Sequence, residues 1–348
     1  MNELALFVGV IFILWLGKTI FVPIMIAAFL WYLINAMSAY YRKIMPFKHS
    51  SAKKIFGIPK LFDWISNILS LATFGVVIYL FITQIRPMFA ELTAALPEIQ
   101  HKLLLLGDYL LGFFGLSFNP DNLPNIPGVI ANIGYSAAGI ATTAGMVLVY
   151  IFFMFIEQST FNTKFAALFP NKTRSKKMRY ILSSIDENMK KYMFMKTLIS
   201  AITGVLSYFW LHYIGLEFAG IWAFIVFITS YIPTIGAIVA CSLPIIYSVA
   251  TADTMNIPIL TAAGLIGLQI LLGNLIEPKL TGKTLNLSTL AILINLVFWG
   301  MLWGVAGMFF SVPLLVATFI ITAQFDSTRW IAVLLSANGE IPEKKDEE

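Results

Sequence analysis

The apolar runs in this sequence are too long to be the core segments of a water-soluble domain. Leu4 to Leu33 is apolar almost throughout, and further runs cover Trp64 to Ile85, Val129 to Ile156 and most of Thr197 to Ile321. A helix needs about 20 such residues to cross the hydrocarbon layer of a bilayer. Only 12% of the 348 residues are charged and 59% are hydrophobic, whereas soluble domains carry about a quarter charged residues. With a mean hydropathy of +0.83, the chain is expected to be all-α: a polytopic integral membrane helical bundle. The run lengths give about 7–8 membrane-embedded segments, with broken or re-entrant helices in the C-terminal half.

Charge supplies the orientation. The formal net charge is +5, but Lys and Arg concentrate in Arg42 to Lys60 and in Lys164 to Lys196, both between apolar runs. That is the distribution of cytoplasmic loops rather than of a nucleic-acid surface. A single transmembrane domain, residues 1–348, is therefore expected. Residues 157–197 would form a basic cytoplasmic amphipathic region, and residues 86–127, poor in bases, an external amphipathic and loop region. The lipid bilayer is the first partner, nucleic acid is not one, and the expected location is the inner (cytoplasmic) membrane, multi-pass. Met1-Asn2-Glu3 lacks the basic start of a signal peptide, so the first run is expected to stay as an anchor. Cys241 stands alone, which leaves no disulfide framework within the chain.

Local punctuation predicts several boundaries. Gly17-Lys18 and Pro23 interrupt the first run, giving either one long kinked helix or two segments hinged near Lys18. Pro97, followed by Glu98, suits the first turn of a helix. Ile99, Leu103, Leu106 and Leu110 give that helix a short apolar stripe, and Pro120, Pro124 and Pro127 predict a loop after it. Gly134, Ala138, Ala141 and Gly145 suit close helix packing in lipid. Met178, Ile181, Leu182, Ile185 and Met189 fall on one helical face, with Lys190, Lys191 and Lys196 beyond. This reads as an interfacial amphipathic helix, or else as a solvated basic loop.

The C-terminal half contains two breaks within apolar runs. Tyr231-Ile232-Pro233-Thr234-Ile235-Gly236 is one, and Gly300, Gly304 and Gly307 ahead of Pro313 form the other. Irregular backbone at membrane depth survives only where protein or a water-filled cavity satisfies it, so such breaks point to a transporter's binding site. A plain helical hairpin turning at the membrane surface is the alternative for each. Ionisable residues in or beside apolar runs are costly and mark function. Lys18, Glu157, Glu217, Asp253 and Glu277 qualify by position. Glu277 follows Gln269 to Ile276 directly and precedes Pro278 and Lys279. It is either a carboxylate that takes up a proton or cation, or a boundary residue paired with Lys279. The candidate transport and gate residues are Tyr231, Pro233, Gly236, Gln269, Asn274, Glu277, Pro278 and Lys279, with Gly300, Gly304 and Gly307 as helix-packing positions.

An enzyme is not expected. His49, His101 and His212 lie in separate segments without metal-ligand spacing, and no HExxH or Gly-x-Ser-x-Gly phrase is present. Thr281-Gly282-Lys283-Thr284 looks like the end of a phosphate-binding loop, but Glu277 stands where that loop needs Gly. No catalytic residue, metal site or cofactor is predicted.

Three phrases resemble the autoinducer-2 exporter-like family of predicted permeases. They are Lys191-Tyr192 through Lys196 leading to Gly204 and Gly215-Leu216, then Tyr231 to Gly236, and then Glu277-Pro278-Lys279 through Gly282-Lys283 to Leu287 with the Gly304, Gly307 and Pro313 ending. Gln269 and Asn274 fall where the family places polar residues. Ala237 stands where many members have a second Pro, and Thr234 replaces an aromatic or aliphatic residue. The resemblance implies a multi-span transporter, a homo-oligomer such as a pentamer, and export of small molecules, with sodium–proton exchange in some members. The function expected is thus a secondary transporter, permease or exporter, of a small polar solute or cation, driven by an ion gradient. The alternative is a non-transporting scaffold that recruits partners through its basic cytoplasmic face.

Overall fold

A helix satisfies its own backbone hydrogen bonds, which an apolar environment demands, and the long apolar runs fold accordingly. The structure, a computed structural model, describes residues 2–44, 61–113, 137–277, 279 and 286–341. Most of the Arg42–Lys60 basic stretch, the Pro120–Pro127 loop, Pro278 and the Gly282-Lys283 phrase lie outside them. The helices are α1 (Asn2–Leu16), α2 (Lys18–Ile44), α3 (Leu61–Phe113), α4 (Ala137–Leu168), α5 (Lys172–Tyr213), α6 (Ala219–Thr229), α7 (Ile235–Thr251), α8 (Asn256–Leu268), α9 (Thr289–Ala323) and α10 (Arg329–Leu335). Helix α8 continues into a π-helical segment, Gln269–Ile276. Among the described residues, extended pairing is limited to one antiparallel bridge between Leu287 and Ser336.

Five helices among the described residues are long and apolar enough to cross a membrane, α9 counted over both of its arms, and the two arms of α4, bent by 69°, make a sixth if taken as one span. Helices α6 and α7, at 11 and 17 residues, are apolar but shorter. The all-α, polytopic architecture is the one that the run lengths imply. The described helices gather into two compact units.

The first unit comprises Met1–Gly75, Thr143–Met195 and Thr281–Glu348. Its first run divides into two helices at Gly17, whose carbonyl accepts from the amides of both Ile20 and Phe21 at 2.9 Å. Ala27 and Ile34 of α2 pack with Val147 and Ile151 of α4. Gly145, by contrast, lies on the exposed side of α4 with no atom within 4 Å of a would-be Cβ, so it is not a close-packing position here. On α5, Ile185 and Met189 pack with Val312, Val316 and Ile320 of α9. The apolar stripe of this amphipathic helix is thus covered by protein at Ile185 and Met189, while Leu182 remains exposed.

Helix α9 is a helical hairpin. Gly304 adopts φ 65°, ψ −141°, a region essentially confined to glycine, and the chain reverses there. Asn295 donates from Nδ2 to the Ser311 carbonyl at 2.6 Å, sixteen residues away in sequence but ~24 Å along a straight helix. Asn295 also accepts at Oδ1 from Trp299 Nε1 at 3.1 Å. The arms approach so closely that a Cβ on Gly307 would sit 1.9 Å from the Trp299 carbonyl oxygen, and one on Gly300 would sit 2.9 Å from Met308 Cε.

The second unit comprises Val76–Thr142 and Lys196–Leu280. Leu211, Ile221, Val226 and Leu265 are fully buried at its centre, together with Leu92 and Ile99 of α3. Pro97 does not begin a helix, as its position had suggested. Helix α3 runs through Pro87 and Pro97 without a break. A proline inside a helix loses one hydrogen bond and crowds the carbonyl four residues back. Burial of Leu92, Leu96 and Ile99 around Pro97 offsets that cost.

Candidate transport site

Within the second unit, Lys196 opens the site. It stands in Met193-Phe194-Met195-Lys196-Thr197-Leu198-Ile199, apolar on both sides, and the face of α5 that buries Met193 and Ile199 buries the cation too. Its side chain is only 7% exposed, and Nζ donates to Glu277 Oε1 at 2.5 Å. Glu277 is 23% exposed. A lone charge in such a segment costs about 2.5–3.5 kcal/mol even on the most lenient scale. Removing one member of a buried pair leaves the other uncompensated, at a cost of roughly 3–5 kcal/mol.

Glu277 is delivered by an irregular element. The π-helical segment Gln269–Ile276 ends immediately before it. A π-helical turn closes i→i+5 hydrogen bonds and is frequent at functional sites. Gln269, at its start, has a buried Nε2 that meets no acceptor among the described residues. Asn274 and Lys279 are exposed. Glu277 pairs with Lys196, from a helix 81 residues away in sequence.

The turn between α6 and α7 reaches the same stretch of α5. Tyr231, 5% exposed, donates its hydroxyl to Thr197 Oγ1 at 2.9 Å, one residue beyond Lys196. The turn is tight. The Pro233 carbonyl accepts from the Ile235 amide at 2.6 Å, Thr234 takes φ 60°, ψ −62°, and a Cβ on Gly236 would sit 1.8 Å from the Thr229 carbonyl oxygen. A non-glycine residue held at such a positive φ costs about 1–3 kcal/mol, so the surrounding contacts hold the turn against strain.

Three of the residues named from sequence thus meet α5, either directly or through one turn: Tyr231 and Glu277 by their side chains, and Gly236 as the residue that lets the turn close. Gly300, Gly304 and Gly307 belong to the first unit, in the α9 hairpin. Two residues were missed. Lys196 was grouped with the basic face of Lys190 and Lys191, and Thr197 was not singled out. The signal was present, since apolar residues flank Lys196 on both sides while Lys190 and Lys191 stand together.

The sequence matches the model of the AI-2E family transporter over residues 4–327. It is similar to the AI-2 transport protein TqsA of Escherichia coli, 31% identical over 255 residues that cover 71% of this chain and 73% of that one. A Haemophilus influenzae protein, named for transport without a substrate, is 29% identical over 290 residues, covering 78% of this chain and 81% of its own. A sodium-lithium/proton antiporter of Halobacillus andaensis is 28% identical over 207 residues, 58% of this chain and 57% of that protein. With the family model spanning nearly the whole sequence and the helices long enough to span a bilayer, the chain belongs to the AI-2E transporter family and is a multi-pass membrane transport protein.

Proposed function

We propose that the protein is a secondary carrier of the inner membrane that exchanges a small polar solute or a cation against an ion gradient, with the Lys196–Glu277 pair as its coupling element. The observation that carries this reading is an ion pair between a buried Lys196 and a half-buried Glu277, the latter at the end of a π-helical segment that closes an apolar run. A structural ion pair of this depth gives little net stability, whereas a carboxylate that alternates between an ammonium and a proton or metal cation does work.

In the paired state Glu277 is neutralised by Lys196. A proton or a monovalent cation taken up at Glu277 replaces the ammonium, and Lys196 must then find water or a substrate anion. The pair is thus bistable, and each arrangement leaves one charge to be satisfied from outside the protein. The Tyr231–Thr197 hydrogen bond ties the α6–α7 turn to α5 beside the pair, so release at Lys196 is transmitted to that turn. Gln269 Nε2, buried without an acceptor among the described residues, offers a hydrogen bond to a polar solute. The sodium-lithium/proton antiporter among the relatives makes sodium, lithium and protons the first ions to try.

The test is flux in proteoliposomes carrying an internal pH-sensitive dye and an imposed pH gradient. Sodium or lithium addition should dissipate the gradient with the wild type and fail to do so with Glu277→Gln. Wild-type dissipation by Glu277→Gln would remove the pair from the coupling mechanism.

A further inference from the structure

A second site lies in the first unit, away from the Lys196–Glu277 pair. A cavity of about 1030 Å³ opens between α2, the bend of α4 and the first turns of α5, a size at the upper end of small-molecule sites. One wall comes from membrane-spanning segments: Trp31 lies within the Lys18–Ala39 span, and Met154 lies within the Thr143–Gln158 arm of α4. Phe161 and Phe165 continue this wall beyond the 69° bend.

The opposite wall is basic. Three cations, Lys176, Arg179 and Lys190, face the cavity with two carboxylates, Glu157 and Asp186. Both carboxylates have an ammonium partner: Lys164 pairs with Glu157, and Lys190 with Asp186 at 2.6 Å. Arg179 is held differently. Its guanidinium donates to Asn162 Oδ1 at 3.3 Å and lies 4.7 Å from the Phe165 ring centroid. Both of these partners are neutral, so neither cancels its charge. The planar fork is thereby fixed in place, with donors to spare for a phosphate.

We infer that this cavity is a binding site for an anionic phospholipid, its phosphate on Arg179 and its acyl chain along Phe161 and Met154. The juxtaposition favours a lipid over a soluble anion. The basic wall sits at the end of spanning segments, where headgroups lie, and the apolar wall continues to membrane depth, where only a chain has reason to follow. Basic pockets between membrane helices hold anionic headgroups in this way. The Lys/Arg-rich sequence that supplies the wall also identifies this side as cytoplasmic, where anionic lipids attract basic segments. The inference is independent of the transport reading, since it involves neither Lys196 nor Glu277.

Native mass spectrometry of the full chain in non-ionic detergent tests it. Phosphatidylglycerol and phosphatidylcholine of identical chains are titrated, with glycerol 3-phosphate as a soluble competitor. The wild type should retain phosphatidylglycerol in preference to phosphatidylcholine. Arg179→Gln should weaken phosphatidylglycerol binding about fivefold, as expected for one basic residue at a membrane surface, and Arg179→Lys should restore most of it. Phe161→Ala, at an exposed position, should weaken both lipids while leaving the protein folded. Equal retention of the two lipids by the wild type, or unchanged phosphatidylglycerol binding in Arg179→Gln, overturns the site. Displacement by equimolar glycerol 3-phosphate assigns the cavity to a soluble anion and overturns the lipid.

Discussion

Lys196 Nζ meets Glu277 Oε1 across 81 residues of sequence, from inside one apolar helix to the end of a π-helical segment. The pairing sets the Lys196 ammonium directly against the Glu277 carboxylate, so the two charges offset each other.

That relationship predicts an asymmetric mutant series. Lys196→Met should destabilise the protein by up to about 3 kcal/mol, because Glu277 loses its ammonium partner in a largely apolar setting. The double variant Lys196→Met, Glu277→Leu should recover most of the loss, since it buries no charge, while remaining inactive in gradient-driven flux. Thermal unfolding in detergent measures the first, and proteoliposome flux the second. A double variant as unstable as the sum of the two singles would show that the pair does not act as a unit.

The Tyr231 hydroxyl provides a smaller and cleaner perturbation. Tyr231→Phe keeps the buried ring and removes the hydroxyl's hydrogen bond to Thr197, at an expected cost of about 1 kcal/mol. Thr197→Val should cost a similar amount, and the double variant should cost less than the sum, because both changes remove the same bond. If the turn transmits the state of the Lys196–Glu277 pair, Tyr231→Phe should also lower flux more than its stability loss explains. Strict additivity in the cycle would mean that the bond is not made in solution.

How far the sequence discloses such features depends on whether one stretch of chain carries the whole cause. The break at Gly17, the Tyr231–Gly236 turn and the Gly304 reversal are legible because Gly or Pro states locally that the helix cannot continue straight. Glu277 is legible for the same kind of reason, as an acid closing an apolar run. Its partner is not, since nothing near Lys196 in sequence indicates a carboxylate 81 residues on. The same limit explains the amphipathic stretch of α5, whose pattern gives a face but not the α9 residues Val312 and Val316 that cover it. Pro97 misleads in the opposite direction. A local rule predicts a helix start there, and the packing of Leu92 and Ile99 in the second unit keeps α3 continuous instead.

The glycines at the two hairpins separate steric need from conformational need. A Cβ at Gly236 or Gly307 would lie 1.8 or 1.9 Å from a backbone carbonyl oxygen, which no rotamer can relieve. Gly236→Ala and Gly307→Ala should therefore open their turns and abolish the folded, monodisperse protein. Gly304 has no atom within 4 Å of a would-be Cβ, but its φ is +65°, so Gly304→Ala should cost only the backbone strain, about 1–3 kcal/mol. Gly267, on α8 with open space around it and an ordinary φ, is the control: Gly267→Ala should be neutral or stabilise slightly, by up to about 1 kcal/mol. Size-exclusion elution and thermal unfolding of the four variants check the order. A Gly307→Ala protein that elutes and melts like the wild type would mean that the arms of α9 do not close on each other as Asn295 and Ser311 require.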